Sequence, residues 1–195
     1  MMTTGAKPLV IIPCDPGMSG KGKEGKPVAA GMLAFWPDGT IEFVGRVSKR
    51  VKGTDTASHR VDTWESAVRE LVVRAQSRKW DVRCVAVEGA RGVGGSGYLL
   101  QYLVHHIRDC CRPVDENVGQ WPQPMGIECV IVPPTKMKAF VTGSGSASKE
   151  DVAAWVKMLV PNLPEFDEDD WYDMVGIGIA AWMMLKEQEL VENAE

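Results

Sequence analysis

The chain has 195 residues, 45% of them hydrophobic, which is enough for one well-buried domain spanning residues 1–195 and too few for two complete ones. No stretch approaches the roughly 18 apolar residues that a membrane span needs, and the first residues lack the pattern of a secretory signal, so we expect a cytoplasmic protein. The net charge is −4, which argues against a generic nucleic-acid binder, but residues 1–149 carry 20 basic and 14 acidic side chains whereas residues 150–195 carry 2 and 12. This asymmetry fits a basic surface that binds phosphates beside a separate acidic site, or simply an acidic tail that aids solubility.

The first third of the chain predicts three strands in an antiparallel meander. The apolar run "PLVIIPCDPG" ends in a Pro-Gly turn signal with Asp15 at its carboxyl end. "PVAAGMLAFW" and "TIEFVGRV" flank "PDG", which is a strong hairpin signal. The connection between the first two strands is long and basic, and we expect its Lys21, Lys23 and Lys26 to contact a phosphate backbone.

The middle of the chain alternates helices and strands. Apolar residues at helical spacing predict a surface helix over residues 62–78, and "VRCVAVEGA" predicts a buried strand with Glu88 near its end. "GYLLQYLVHHI" predicts a second helix and "IECVIVPP" a fifth strand, while the proline-bearing segment 112–126 between them is a candidate disordered loop.

Two further helices are predicted near the end of the chain. Ser148 and Asp151 resemble a capping box, and the helix that they open has one apolar face formed by Val152, Trp155, Val156 and Leu159. The last helix is expected from about Asp169 to about Glu187. A meander followed by alternating helices and strands predicts an α/β protein with a ribonuclease H-like fold. Its mixed five-stranded sheet combines the antiparallel meander with parallel strands and is flanked by helices.

The five cysteines predict reduced structural thiols and no zinc. Cys14, Cys84 and Cys129 lie inside apolar runs, where a small buried side chain is expected. Cys110 and Cys111 are adjacent, and no CxxC pair occurs, so the spacing suits neither an ordinary disulfide nor tetrahedral metal binding.

Four carboxylates form the candidate catalytic group. Asp15 and Glu88 end buried strands, and Asp170 and Asp173 share one face of the last helix. Each alone could be a solvated acid, but four gathered together repel one another unless cations neutralise them. Because every ligand is a carboxylate oxygen, the expected ions are Mg²⁺, with Mn²⁺ as a substitute, and two ions in one site suit in-line hydrolysis of a phosphodiester.

The segment "PPTKMKAFVTGSGSASKEDV" carries two further candidate catalytic residues, Lys138 and Lys149. We expect them to contact the scissile phosphate or its neighbours, and one of the two to stabilise the negative charge that develops there. Its glycines and serines suggest a nucleotide P-loop, but Ser148 stands where the second glycine belongs and Glu150 replaces the Ser or Thr. We therefore expect the segment to present backbone amides and Lys149 to a DNA strand. Surface lysines without a specific function are the alternative.

Four motifs in chain order resemble the signatures of the RuvC family of Holliday junction resolvases: "DPG", "VAVEGA", "KMKAFVTGSGSASKEDV" and "DWYDMVGIGIAA". The resemblance covers residues 9–185 and implies a ribonuclease H-like fold and a homodimer with two active sites. It also implies Mg²⁺-dependent symmetric nicking of four-way DNA junctions that leaves 5′-phosphates. The implied metal ligands are Asp15, Glu88, Asp170 and Asp173, and the implied phosphate-contacting residues are Lys138 and Lys149.

Three features depart from the family pattern. Arg91 and glycines stand where family members often carry an aromatic wedge, so we expect Arg91 to contact DNA, with its guanidinium plane able to stack. The basic insertion lengthens the first connection, and Gly176 and Gly178 in the last helix predict close backbone packing. This divergence and the seven tryptophans suggest a bacteriophage version, which would act in the host cytoplasm on many branched forms of DNA.

Other functions remain open from the residues. A ribonuclease H or an exonuclease could share the fold, although an exonuclease would want a second acid at position 17, which is glycine. "DPGMSG" resembles the phosphate turn of sugar kinases and actin-like ATPases, which need two such domains. A non-catalytic junction-binding protein is disfavoured because all four acids are present.

Overall fold

The computed structural model describes most of the chain, namely residues 6–16, 26–47, 49–52, 54–89, 95–112, 125–166 and 168–193. The strands are β1 (Leu9–Asp15), β2 (Lys26–Pro27), β3 (Ala29–Phe35), β4 (Ile41–Arg46), β5 (Arg50–Val51), β6 (Asp81–Glu88) and β7 (Glu128–Val132). The helices are α1 (Ala57–Ser77), α2 (Gly95–Cys111), α3 (Pro134–Thr142), α4 (Lys149–Leu159) and α5 (Asp170–Glu192). None of these helices is long and apolar enough to cross a membrane.

A mixed five-stranded sheet in the order β4-β3-β1-β6-β7 is the centre of the fold. β1 pairs antiparallel with β3, and β3 pairs antiparallel with β4, whereas β1, β6 and β7 run parallel. The predicted sheet, a meander extended by parallel strands, is therefore confirmed. The short β2 and β5 form a separate two-stranded ribbon that the sequence did not predict.

Helices cover both faces of the sheet. Along β1, Val10 and Ile12 point to the face that packs against α1 and α2, whereas Ile11 points to the face that packs against α3, α4 and α5. Because β1 is buried on both faces, its sequence is a continuous apolar run rather than an alternating one. The carboxyl end of β1 consequently lies between two helical layers.

The backbone of α5 approaches the sheet closely, as its glycines predicted. A Cβ atom added at Gly178 would lie 2.6 Å from Leu33 Cδ1 and 3.1 Å from Pro13 Cγ. At Gly176 the corresponding distance to Met137 Sδ is 3.0 Å. Gly178 thus lets α5 lie directly on β1 and β3, which fixes the first turn of α5 near the end of β1, and Gly176 lets α5 lie close to Met137 of α3.

Three helices differ from the prediction, two in their boundaries and one in its existence. α1 begins at Ala57 rather than at residue 62, because Thr56 caps it by accepting a hydrogen bond from the His59 amide. α2 extends beyond the predicted apolar core at both ends. α3 was not predicted at all, because the glycines and serines after it suggested a loop.

The predicted apolar face of α4 is only partly correct. Val152 and Val156 are buried, but Trp155 is 43% exposed, so its assignment to the packed face was wrong. The capping box of Ser148 and Asp151 is confirmed. Most of the proline-bearing segment expected to be disordered, residues 113–124, lies outside the described residues.

All five cysteines are free thiols, as predicted. Four of them are buried and Cys129 is half-buried.

Candidate active site

Three of the predicted acids meet where β1 ends and α5 begins. Carboxylate oxygens of Asp15, Asp170 and Asp173 all lie within 4.8 Å of one another. Asp15 ends β1 and is only 6% exposed, and the two other acids occupy the first turn of α5. The approach of α5 to the sheet therefore brings residues more than 150 positions apart into one acidic cluster.

The rotation of α5 is set by the residues between its two acids. Trp171 and Tyr172 are buried, and both pack on the Phe166 ring, at centroid distances of 5.8 and 5.1 Å. Burying this side of the first turn directs Asp170 and Asp173, which are three residues apart, to the same other side. Their negative charges also suit the positive end of the helix dipole.

Glu88 lies at the same end of the sheet as Asp15, where the parallel strands β1 and β6 end. β1 and β6 are parallel neighbours with Cys14 paired to Val87, so Asp15 and Glu88 are the next residues on adjacent strands. Glu88 is half-buried and is not part of the group whose oxygens lie within 4.8 Å of one another. The structure thus gathers three of the four predicted acids and places the fourth at the neighbouring strand end.

Lys149 is the positive charge that faces the acidic cluster. Its Nζ lies 3.2 Å from Asp170 Oδ1 and 3.1 Å from Asp173 Oδ2. Burial by itself would lower the pKa of Lys149, but Asp173 and Asp170 outweigh it and raise that pKa above its usual value. Burial raises the pKa of Asp173, and the Lys149 charge opposes this rise. Lys149 therefore remains protonated and shields the two acids from each other.

The capping box at the start of α4 positions Lys149. The Asp151 amide donates to Ser148 Oγ over 3.1 Å, and the Ser148 amide donates to Asp151 Oδ2 over 3.0 Å. Because Lys149 is the first residue of α4, this reciprocal cap fixes the backbone from which its side chain reaches the cluster.

Lys138 lies on α3 and is half-buried. Its ammonium donates a hydrogen bond to the carbonyl of Ala147, the residue before the α4 cap. The Lys138 charge also acts to lower the pKa of Asp173, against the larger effect of burial. Lys138 therefore joins the unpredicted α3 to the segment that carries Lys149.

The side chains of the remaining predicted DNA contacts lie outside the described part of the structure. Lys21, Lys23 and Arg91 lie outside the described residues. Lys26 is part of β2, and only its backbone is described.

A second polar cluster lies between α1 and α2, and the sequence did not indicate it. Glu65 contacts His106 and Arg69. Burial alone would raise the pKa of Glu65, but the hydrogen bonds with His106 and Arg69 outweigh it and lower that pKa. Burial and then the Glu65 charge raise the pKa of Cys110 to about 12. The four-residue spacing of His106 and Cys110 was the only sequence signal for this group.

Comparisons with known proteins give a match in structure and none in sequence. No family model matches the chain, and no curated protein does. The structure of Thermus thermophilus RuvC in complex with a Holliday junction substrate is similar, with a TM-score of 0.69 and 17% identity over 92% of this chain and 96% of that one. Another Thermus thermophilus RuvC structure gives a TM-score of 0.64 and 17% identity over 91% and 97% of the two chains. The predicted ribonuclease H-like fold is thereby confirmed as that of RuvC.

Proposed function

We propose that this chain is a divalent-metal-dependent endonuclease that cuts branched DNA, chiefly four-way junctions. One observation carries the proposal: Asp15, Asp170 and Asp173 converge within 4.8 Å at the end of β1. The setting supports it, because the fold matches, over 92% of the chain, that of a RuvC bound to a Holliday junction substrate.

The acidic cluster suits hard divalent cations. Its donors are carboxylate oxygens alone, which favour Mg²⁺ or Mn²⁺ over zinc. Asp15, Asp170 and Asp173 would hold the ions together with Glu88 from the neighbouring strand end. When bound, two such ions supply activation of water and stabilisation of the leaving oxygen. The acids themselves orient the ions, and burial of Asp15 keeps its carboxylate in one place.

Lys149 would act on the phosphate that is cut. In the structure its ammonium is held by Asp170 and Asp173, but its side chain is 49% exposed and can turn towards a bound strand. Cations that neutralise the two acids would release Lys149 to stabilise negative charge developing on the phosphate. Lys138, anchored at Ala147, would hold a neighbouring phosphate.

The active form would be a homodimer. Paired cuts in one junction require two active sites, and the resemblance to the RuvC signatures implies that each nick leaves a 5′-phosphate. Lys21, Lys23, Lys26 and Arg91 would add contacts with the DNA arms, because positive side chains supply much of the affinity for a phosphate backbone. A bacteriophage origin stays a prediction from the sequence.

A cleavage assay with four substrates tests this function. Purified protein is incubated in Mg²⁺ with four-way junction, fork, flap and linear duplex DNA, and we expect paired nicks in the junction and little cutting of linear duplex. The Asp173→Asn variant should abolish cleavage while binding the junction almost normally. Asp169→Asn, which changes an exposed acid of the same run, is the matched control. Equal loss of cleavage and binding in Asp173→Asn would contradict a metal-binding function for Asp173.

Further substrates and measurements separate the alternatives. Faster cutting of an RNA–DNA hybrid than of a junction would favour a ribonuclease H, and release of single nucleotides from ends would favour an exonuclease. Junction binding without Mn²⁺-dependent nicking would favour a non-catalytic junction-binding protein. ATP binding in calorimetry would favour the kinase-like alternative.

A further inference from the structure

Glu65, His106 and Cys110 form a compact polar cluster on the side of the sheet opposite α5. Their potential ligand atoms all lie within 4.8 Å of one another. Glu65 belongs to α1, and His106 and Cys110 lie one turn apart on α2. Because α1 and α2 pack on the face away from α3, α4 and α5, this cluster is separate from the acids of the proposed nuclease site.

The cluster is enclosed by protein. The side chains of His106 and Glu65 are 11% and 10% exposed, and Cys110 is 1% exposed. His106 Nε2 lies 2.7 Å from Glu65 Oε2. The Cys110 Sγ atom lies within 4.8 Å of the ligand atoms of both Glu65 and His106. An imidazole and a thiol therefore both lie beside one carboxylate in a nearly dry space between two helices.

Arg69 holds the other oxygen of that carboxylate. Its Nε donates to Glu65 Oε1 over 2.7 Å, one helical turn along α1. This contact fixes the orientation of Glu65 and leaves Oε2 to face His106. A carboxylate anchored through one oxygen, with the other oxygen beside a second potential ligand, is typical of metal sites, where outer hydrogen bonds orient the ligands. The positive charge of Arg69 opposes, without outweighing, the burial and the Glu65 charge that raise the pKa of Cys110, so the free group is a thiol.

We propose that Glu65, His106 and Cys110 bind a Zn²⁺ ion that links α1 to α2. Thiolate, imidazole and carboxylate together are a ligand set that zinc accepts and that Mg²⁺ does not. Two anionic ligands balance the charge of the ion, and three protein ligands leave one position for water. The 2.7 Å contact between His106 and Glu65 must open by roughly 0.7 Å to admit zinc at its usual bond lengths and tetrahedral angle.

Binding exchanges protons for the ion. The thiol proton of Cys110 leaves to solvent as the metal–sulfur bond forms, and His106 binds through Nε2 as a neutral imidazole whose one proton is then on Nδ1. The expectation of no zinc considered only cysteine pairs. It missed this group because Glu65 is 41 residues from His106 in sequence and joins it only through the packing of α1 on α2.

Titration of the full chain with Co²⁺ tests this site independently of nuclease activity. One equivalent of Co²⁺ should produce a thiolate-to-metal charge-transfer band in the near ultraviolet, which Zn²⁺ then abolishes. Carboxylates alone give no such band, so Co²⁺ at the acidic cluster is distinguishable. Cys110→Ala should lose the band, whereas Cys84→Ala, which removes a buried thiol on β6, should keep it.

Calorimetry and thermal unfolding supply the second measurement. His106→Gln should weaken Zn²⁺ binding by about 100-fold or more, and Zn²⁺ should raise the melting temperature of the wild type but not of this variant. If either variant fails to fold, the wild-type protein still decides. Absence of the thiolate band at one equivalent of Co²⁺, or a band that persists unchanged in Cys110→Ala, would overturn the proposal.

Discussion

The ammonium of Lys149 lies 3.1 Å from a carboxylate oxygen of Asp173. The chain itself thus supplies a positive charge to an acidic cluster that is suited to metal ions. Divalent cations that bind at the three carboxylates would compete with Lys149 for the same oxygens. Binding of the ions would therefore release Lys149 from the carboxylates, and contact of Lys149 with the carboxylates would oppose binding of the ions.

Replacing Lys149 with Met should slow junction cleavage by about 100-fold or more, because the scissile phosphate loses its positive partner. Mn²⁺ binding to the free protein should become tighter, because the ion no longer competes with the ammonium for Asp170 and Asp173. Single-turnover cleavage at saturating protein and titration of Mn²⁺ by electron paramagnetic resonance measure the two effects.

Lys157→Met is the control for that change. Lys157 lies on the same helix but pairs with Glu165 at 2.9 Å, outside the acidic cluster. Cleavage and Mn²⁺ affinity should stay near the wild-type values in this variant. Equal behaviour of the two lysine variants would show that Lys149 has no function beyond that of a surface charge.

Replacing Asp15 with Asn should weaken Mn²⁺ binding by about 100-fold and abolish detectable cleavage, because the buried carboxylate at the end of β1 supplies charge to the cluster. The fold should remain, since the amide has nearly the same shape. Asp38→Asn, in the exposed hairpin turn before Thr40, is the control. Wild-type Mn²⁺ affinity in a folded Asp15→Asn protein would contradict the proposed site.

The sheet and its acids were predictable because the signals are local. A continuous apolar run identifies β1 as a doubly buried strand, and the position of Asp15 at its end follows from the turn signal after it. α3 was missed because the glycines and serines after it suggested a loop, although Pro134 is favourable in the first turn of a helix. Trp155 was misplaced because helical spacing identifies a face but does not show how far the neighbouring elements cover it.

The pairings within the sites were not predictable from local patterns. Lys149 was expected to face DNA, and its contact with Asp170, 21 residues away, depends on how α4 packs against α5. The contact between Glu65 and His106 likewise depends on the packing of α1 on α2. No local sequence pattern marks the residues that make these contacts, so only the three-dimensional arrangement reveals them.

Replacing Ser148 with Ala should destabilise the protein by about 1 kcal/mol, because the Asp151 amide loses the side-chain acceptor that caps α4. The free energy of unfolding from urea denaturation measures the loss. Ser146→Ala, in the exposed loop just before the cap, should change stability by less than about 0.5 kcal/mol. Cleavage should also slow in Ser148→Ala, since Lys149 follows the cap directly. An unchanged cleavage rate would show that the cap is not needed to position Lys149.

The other half of the cap predicts a pH dependence. The backbone hydrogen bond from Ser148 lowers the pKa of Asp151 in the folded protein. A lowered folded pKa means that the stabilisation is fully present above the unfolded pKa of about 4 and is lost as the pH falls through the folded value. The stability difference between wild type and Asp151→Ala should therefore be constant near neutral pH and shrink in acid. Urea midpoints measured across this range check it, and a difference that persists unchanged in strong acid would contradict it.

Replacing Gly178 with Ala should destabilise the protein by about 1–3 kcal/mol, because the new methyl group would meet Leu33 Cδ1 at 2.6 Å and the rigid Pro13 ring at 3.1 Å. The strain pushes α5 away from β1, and it should also weaken Mn²⁺ binding, because Asp15 lies on β1 whereas Asp170 and Asp173 lie on α5.

Gly176→Ala is the matched comparison on the same helix. Its methyl group would lie 3.0 Å from Met137 Sδ, which belongs to a flexible side chain that can shift, and alanine improves helix propensity by about 1 kcal/mol. This variant should therefore unfold at nearly the wild-type urea concentration and keep its Mn²⁺ affinity. Equal stability of the two variants would contradict the inference that close contact at Gly178 between α5 and β1 holds Asp15 next to Asp170 and Asp173.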